Sequence, residues 1–242
     1  MSTQQPTLDD CIESLRLHIR SRQRTGLRFD AGNRRIDPAQ QMSRAQMLET
    51  LCNESADCRR CPLCNGRTHI VFGEGNNEAR LMFVGDAPDS ASDTLGRAFA
   101  GESGQLLTRI IEAIKLQRSQ VYLTTAVKCL APQGDPGDYA LGACLPFLQR
   151  QIEIIQPEII CALGPVAARI LQDPGARSVP QRGTFHRMGS ILVMPTHHPE
   201  LLLSRPELKN ETWRAVQIIQ QKLESGTTRK HEAGHDFPSR PH

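Results

Sequence analysis

Hydrophobic positions in this chain change their spacing several times between residues 44 and 225. Four short apolar runs, Leu81–Val84, Val121–Val127, Ile159–Leu163 and Ile191–Met194, are too short for helices and do not alternate with polar residues. Such runs predict strands buried on both faces, the pattern of a parallel sheet. Helical spacing separates them. Gly104–Leu116 places Leu106, Leu107, Ile110, Ile111 and Ile114 on one face, Leu141–Ile155 and Pro165–Leu171 follow, and Pro206–Leu223 closes the series. Strands alternating with helices argue for an α/β fold with a mostly parallel sheet. Ligands in such folds bind beyond the carboxyl ends of the strands, so the loops that follow them are where chemistry is expected.

The ends of the chain read differently. Leu8, Ile12, Leu15 and Ile19 have the spacing of one amphipathic helix. The stretch from Arg24 to Ser43, with Gly26, Gly32 and Pro38, reads as a linker. From Ser225 to His242 no apolar pattern remains, and a disordered tail is expected. The division is therefore an extension over residues 1–45, a domain over 46–225 and a tail over 226–242. Charge follows the same division. The net charge of +3 is matched by the extension alone, with eight arginines against five acidic residues. The domain is close to neutral, so net charge says nothing about what it binds.

Composition adds two exclusions and one question. No stretch approaches the eighteen or so apolar residues of a membrane span. Met1 to Asp10 is polar and lacks the apolar segment of a secretory signal, so a cytoplasmic protein is expected. Disulfides rarely persist there, which leaves eight cysteines to be explained. Cys58, Cys61 and Cys64 form two overlapping C-x-x-C units ahead of the first strand. Cys129 ends the second strand run and Cys144 lies on the next helix. Together they offer enough thiolates for a four-ligand site, suited to zinc or an iron–sulfur cluster, and spacing does not choose between the two. Cys11, Cys52 and Cys161 read instead as small packed residues.

Two loops carry candidate chemistry. After the first strand, Asp86, Asp89 and Asp93 lie close together, followed by Gly96-Arg97-Ala98-Phe99-Ala100-Gly101. The carboxylates suit water activation or cation stabilisation, and equally a solvated turn with a helix cap. After the last strand, Pro195-Thr196-His197-His198-Pro199 places two imidazoles where a donor or metal ligand is useful. The triplet Leu201-Leu202-Leu203, beside Ser204 and Arg205, reads either as the start of the final helix or as an apolar wedge for a DNA stack.

These residues occur in an ordered series. It runs Cys58-Arg59-Arg60-Cys61-Pro62-Leu63, Phe72-Gly73-Glu74-Gly75-Asn76, Leu81-Met82-Phe83-Val84-Gly85-Asp86-Ala87-Pro88 and Gly96-Arg97-Ala98-Phe99-Ala100-Gly101. It continues with Val127-Lys128-Cys129, Ala143-Cys144-Leu145-Pro146-Phe147-Leu148, Ala162-Leu163-Gly164 and Met194-Pro195-Thr196-His197-His198-Pro199. Over about residues 46–224 the chain resembles family 4 uracil-DNA glycosylases, the iron–sulfur branch of that superfamily. The resemblance implies a three-layer α/β/α sandwich around a four-stranded, mostly parallel sheet. It implies a [4Fe-4S] cluster held by Cys58, Cys61, Cys129 and Cys144, with Cys64 left over. It implies base excision from DNA: a flipped uracil stacks on Phe99, His198 donates to its carbonyl, and Asp86 supports the cation-like sugar. Ala87, Asp93 and Thr125 would contact the base, and Leu201, Leu202 and Arg205 would occupy the vacated stack. DNA bearing uracil or another damaged base is the expected partner of a monomer at the bacterial nucleoid, with the extension available to a repair partner.

The chain departs from the family pattern at several positions. Asp86 replaces the usual Glu, Asp89 a Gly, and Ser92 a later Glu. Thr125 replaces the Asn whose amide reads the uracil edge, and one hydroxyl lacks the paired donor and acceptor of an amide. A site without that contact discriminates less. Hypoxanthine and xanthine therefore enter as candidate bases, and a catalytically weak or silent DNA-binding protein of the same fold is the second reading.

Overall fold

The computed structural model describes residues 42–131, 135–172 and 181–232. Cys11 and the helix expected around Leu8 to Ile19 lie outside the described residues. The first described helix, α1 (Arg44–Ser55), begins at the end of the expected linker, where Ser43-x-x-Gln46 forms a capping box. The Gln46 amide N–H donates to Ser43 Oγ, and the Ser43 N–H donates to Gln46 Oε1 at 2.8 Å.

Six strands follow: β1 (Glu74–Gly75), β2 (Leu81–Gly85), β3 (Tyr122–Thr125), β4 (Ile159–Leu163), β5 (His186–Met188) and β6 (Ile191–Thr196). Between and after them run α2 (Ser90–Leu95), α3 (Glu102–Ala113), α4 (Gly137–Ile155), α5 (Pro165–Ile170), α6 (Pro199–Ser204) and α7 (Lys209–Glu232). The sheet order is β1-β3-β2-β4-β6-β5. The four inner strands are parallel and correspond to the four apolar runs. The expected strand count needs correction, because short antiparallel strands β1 and β5 extend both edges. Neither had an apolar run to announce it. β1 is two residues long, and β5 is the partly exposed arm of a hairpin whose turn is Gly189-Ser190.

Alternate side chains of the buried strands feed two cores, which makes the molecule a three-layer α/β/α sandwich. Met82, Val84, Ile160 and Ala162 pack with Leu51, Leu148 and Ala167 on the side of α1, α4 and α5. Leu81, Phe83, Cys161 and Leu163 pack with Leu107, Ile111, Val216 and Ile219 on the side of α3 and α7. Cys161 is fully buried, as its place in an apolar strand implied, whereas Cys52 is exposed and not a packed thiol. Helix α7 continues to Glu232, into the segment read as a tail. No described helix is long and apolar enough to cross a membrane.

The chain passes from β2 to β3 on one side, then crosses over β2 to reach β4. The winding direction therefore reverses between the carboxyl ends of β2 and β4, and a crevice opens there. Asp86 from β2, Gly164 from β4 and the His197-His198 pair from β6 all arrive at this end of the sheet.

Candidate active site

Gly85 closes β2 and keeps the crevice open for two rings. A Cβ at this position would lie 2.7 Å from Phe99 Cζ and 3.4 Å from His198 Nε2. The Phe99 and His198 ring centroids are 5.9 Å apart with planes tilted by 32°. His198 caps α6, and its Nδ1 accepts the Glu200 backbone N–H at 3.3 Å. A nitrogen that accepts carries a lone pair, so the proton of the neutral ring sits on Nε2. That Nε2 is buried and has no hydrogen-bond partner among the described residues. Burial pulls the imidazole down to about 4, partly opposed by the Asp89 carboxylate. The result is a neutral ring with one free N–H donor at neutral pH.

Asp86 turns its carboxylate towards the amino end of α5. Oδ1 accepts the Ala167 N–H at 2.7 Å, and a Cβ on Gly164 would come within 2.2 Å of Oδ2. Desolvation pushes this carboxyl up to about 6, against the pull of the backbone donors of Ala167 and Val166. Asp86 and His198 share a cleft of about 550 Å³ with Ala87, Asp89, Glu200, Leu201 and the Leu130-Ala131 segment. Phe99 is buried against the His198 ring and is not part of the cleft wall.

The departures at Asp89 and Ser92 are partners. Asp89 caps α2, with Oδ1 accepting the Ser92 N–H at 2.7 Å and Oδ2 accepting the Ser103 hydroxyl at 2.8 Å. Desolvation would raise its carboxyl, but these donors hold it below the ordinary range. Its φ of −81° needs no glycine, so the carboxylate added here costs the backbone nothing. Ser92 Oγ accepts the Ala100 N–H at 3.2 Å and ties the Phe99 loop to α2.

Three expected contacts are placed elsewhere. Both carboxylate oxygens of Asp93 accept the Thr68 N–H, at 3.0 and 2.8 Å, and the residue is outside the cleft wall. The Thr125 hydroxyl donates to the Val127 carbonyl at 2.7 Å and is buried, so it is turned into its own chain. Leu202 faces the core and is 1% exposed, whereas Leu201 lines the cleft and Leu203 is 38% exposed. The outward leucines of α6 are therefore 201 and 203, with Arg205 exposed just beyond them. Glu200 went unnoticed in the sequence. Its position two residues after a histidine that begins a helix was the available signal.

A second group of residues lies beside the same strand end. Cys58, Cys61, Cys129 and Cys144 line one small cavity with Arg60, Arg67 and Phe147, and Cys64 is not part of it. The Lys128 backbone N–H donates to Cys144 Sγ at 3.3 Å, and Arg67 Nη1 donates to Cys129 Sγ at 3.5 Å and to the Cys58 carbonyl at 2.7 Å. Burial pushes the Cys144 thiol up to about 11 and raises Cys129 and Cys61 as well. The four cysteines line one cavity and two of the sulfurs receive N–H donors, a donor set that suits a thiolate-held metal group, but among the described residues no three such side chains are close enough together to hold a metal ion as they stand.

A doubly wound sheet that brings a neutral imidazole and a carboxylate to one cleft, with an aromatic ring packed against the imidazole, has parts suited to hydrolysing a bond to a planar heterocycle. A family model described as the Uracil DNA glycosylase superfamily matches residues 72–218. The chain belongs to that superfamily. It is 38% identical over 172 residues to a Type-4 uracil-DNA glycosylase of Sulfurisphaera tokodaii, covering 67% of this chain and 78% of the relative. It is 36% identical over 188 residues to one of Saccharolobus solfataricus, covering 74% and 87%. A Type-5 uracil-DNA glycosylase of Pyrobaculum aerophilum is more distant, at 29% over 183 residues, covering 62% and 81%.

Proposed function

We propose that this chain hydrolyses the N-glycosidic bond of uracil, or another deaminated base, flipped out of DNA, leaving an abasic site. The observation that carries the reading is His198 Nε2, a buried donor without a partner on a ring kept neutral. The base must leave the stack, because its glycosidic carbon is shielded within the duplex. As the bond to C1′ breaks, its electron pair goes to the base, and His198 Nε2–H donates to the carbonyl oxygen where negative charge grows. Phe99, outside the cleft wall, supports the His198 ring against which it packs. The Asp86 carboxylate stabilises the cationic sugar while water adds to C1′, and the proton released passes to Asp86 and then to solvent. Leu201, Leu203 and Arg205 face the DNA.

Cys58, Cys61, Cys129 and Cys144 would hold a [4Fe-4S] cluster, which the N–H donors to sulfur and the sulfur-only donor set support. When bound it supplies a covalent tie between the 58–61 segment, the end of β3 and α4. The proposed unit of function is the domain from α1 to the middle of α7, with the Arg-rich extension as an arm for DNA or a repair partner. The protein is read as a cytoplasmic, nucleoid-associated monomer.

With the Thr125 hydroxyl occupied, the base edge lacks an amide reader, so hypoxanthine and xanthine belong to the proposed substrate set beside uracil. The same residue favours the alternative, a silent DNA-binding protein of this fold. Single-turnover base release from single- and double-stranded DNA carrying each base separates the two. Release of any base excludes the silent protein, and release of none refutes the glycosylase.

A further inference from the structure

Phe99 has φ of +54°, a left-handed conformation that a bulky L-residue adopts only when its surroundings enforce it. Two features enforce it here. Gly104 lies so close that a Cβ would sit 1.7 Å from the Phe99 carbonyl oxygen. On the same segment, Arg118 Nη2 donates to the Phe99 carbonyl at 3.2 Å and to the Ala98 carbonyl. Arg118 belongs to a short 3-10 turn, Arg118–Gln120, just before β3. Nη2 is also shared with Glu74 Oε1 at 2.9 Å, Nε donates to the same oxygen at 3.2 Å, and Nη1 donates to Thr108 Oγ1 at 3.3 Å. Thr108 in turn donates to the Gly104 carbonyl. Glu74 also accepts from Arg97, which flanks the segment on its other side. Burial would raise the Glu74 carboxyl, but the two guanidinium groups hold it below its ordinary range.

We infer that Arg118, anchored on Glu74, is a positioning residue that locks the left-handed Phe99 segment and so holds the aromatic ring against Gly85 and His198. Neither residue touches the cleft; both act through Phe99. The planar guanidinium is suited to this because one rigid fork spans two carbonyls and a carboxylate in a fixed geometry. The edge strand β1 thereby gains a purpose, since its short pairing with β3 brings Glu74 beneath the turn that carries Arg118.

The role rests on the glycosylase reading above, and the test separates the two. In the full-length protein, Arg118→Met should slow single-turnover uracil release by about tenfold to a hundredfold, the scale of a misplaced supporting group. In a Phe99→Ala background the same change should alter the rate by less than about twofold, because a residue acting through Phe99 has nothing left to position. Independently of activity, trypsin should cut after Arg97 about tenfold faster in Arg118→Met, reflecting local opening of the freed segment. If Arg118→Met does not fold, Glu74→Gln gives a smaller change of the same sign in both readouts. An equal rate loss with and without Phe99, or an unchanged cut after Arg97, overturns the positioning role. If the wild-type chain releases no base, the glycosylase reading fails, and the proteolysis result alone decides whether the clamp exists.

Discussion

The cysteine corner and the cleft share one stretch of chain and treat their polar groups in opposite ways. Thr125 ends β3, Lys128 donates its N–H to Cys144, Cys129 enters the corner, and Leu130-Ala131 then line the cleft. Around the cysteines, donors are directed at sulfur and at backbone carbonyls. The buried Lys128 Nζ donates to the Thr125 carbonyl, Thr124 Oγ1 and Gln151 Oε1 at 2.6 to 2.7 Å. In the cleft, His198 Nε2 is left without a partner and Asp86 is held where ionising is costly. The corner's side-chain and backbone donors have partners within the protein, whereas the cleft leaves a donor open to a ligand. A buried polar group without a partner is a standing cost, retained where function uses it.

The largest expected effect separates the two regions most sharply. His198→Ala should lower base release by about 10²- to 10³-fold, the measure of a lost transition-state donor. The melting temperature, and the iron content of the proposed cluster, should stay close to wild type, and a loss of either would show that cleft and corner are not separable. Gly164→Ala follows. Its Cβ displaces the Asp86 carboxylate, and its φ of +110° strains any side chain, so a rate loss of about tenfold or more with lower stability is expected.

The pH profile tests Asp86 directly. The proposed role requires the Asp86 anion and the carboxyl is pushed up to about 6, so the rate should climb as pH rises through 6 and level off above it. His198, pulled down to about 4, stays neutral across this range and adds no second limb. Stability runs the other way for Asp86. Its folded value is above the ordinary 3.8, so its stabilising contribution is present below 3.8 and lost as pH rises through about 6. Asp86→Asn should remove the acid limb of the rate profile; an unchanged limb would assign it to another group. The smallest expected effect is a gain. Thr125→Asn should restore an edge reader and raise uracil release several-fold, on the order of one to two hydrogen bonds, while lowering release of hypoxanthine or xanthine.

Much of this was legible in the residues alone, and the remainder had physical reasons to be hidden. Parallel strands buried on both faces leave continuous apolar runs, so all four inner strands were readable. β1 and β5 leave no such mark, because an edge strand of two or three residues is defined by its partner. The four expected cysteines line one cavity, with Cys64 outside it, although no three of them are close enough together to hold a metal ion as they stand. Within the cleft, residue type was a better guide than direction. Leu202 and Asp93 sit beside residues of the site in sequence, yet each turns away, because α6 buries Leu202 and Asp93 serves the Thr68 amide. Arg118 was invisible, since its targets are main-chain carbonyls nineteen and twenty positions earlier.

The tautomer of His198 has a consequence of its own. The proton that would meet the departing base is placed by the Glu200 amide, a main-chain group present in every residue except proline. Side-chain exchange at position 200 therefore leaves the donor in place whatever carboxylate, amide or methyl it carries. Only an imino acid there would release Nδ1 and let the proton migrate to the wrong side of the ring. The chemistry of the site is encoded partly in backbone geometry, where changing the alphabet of side chains does not reach it.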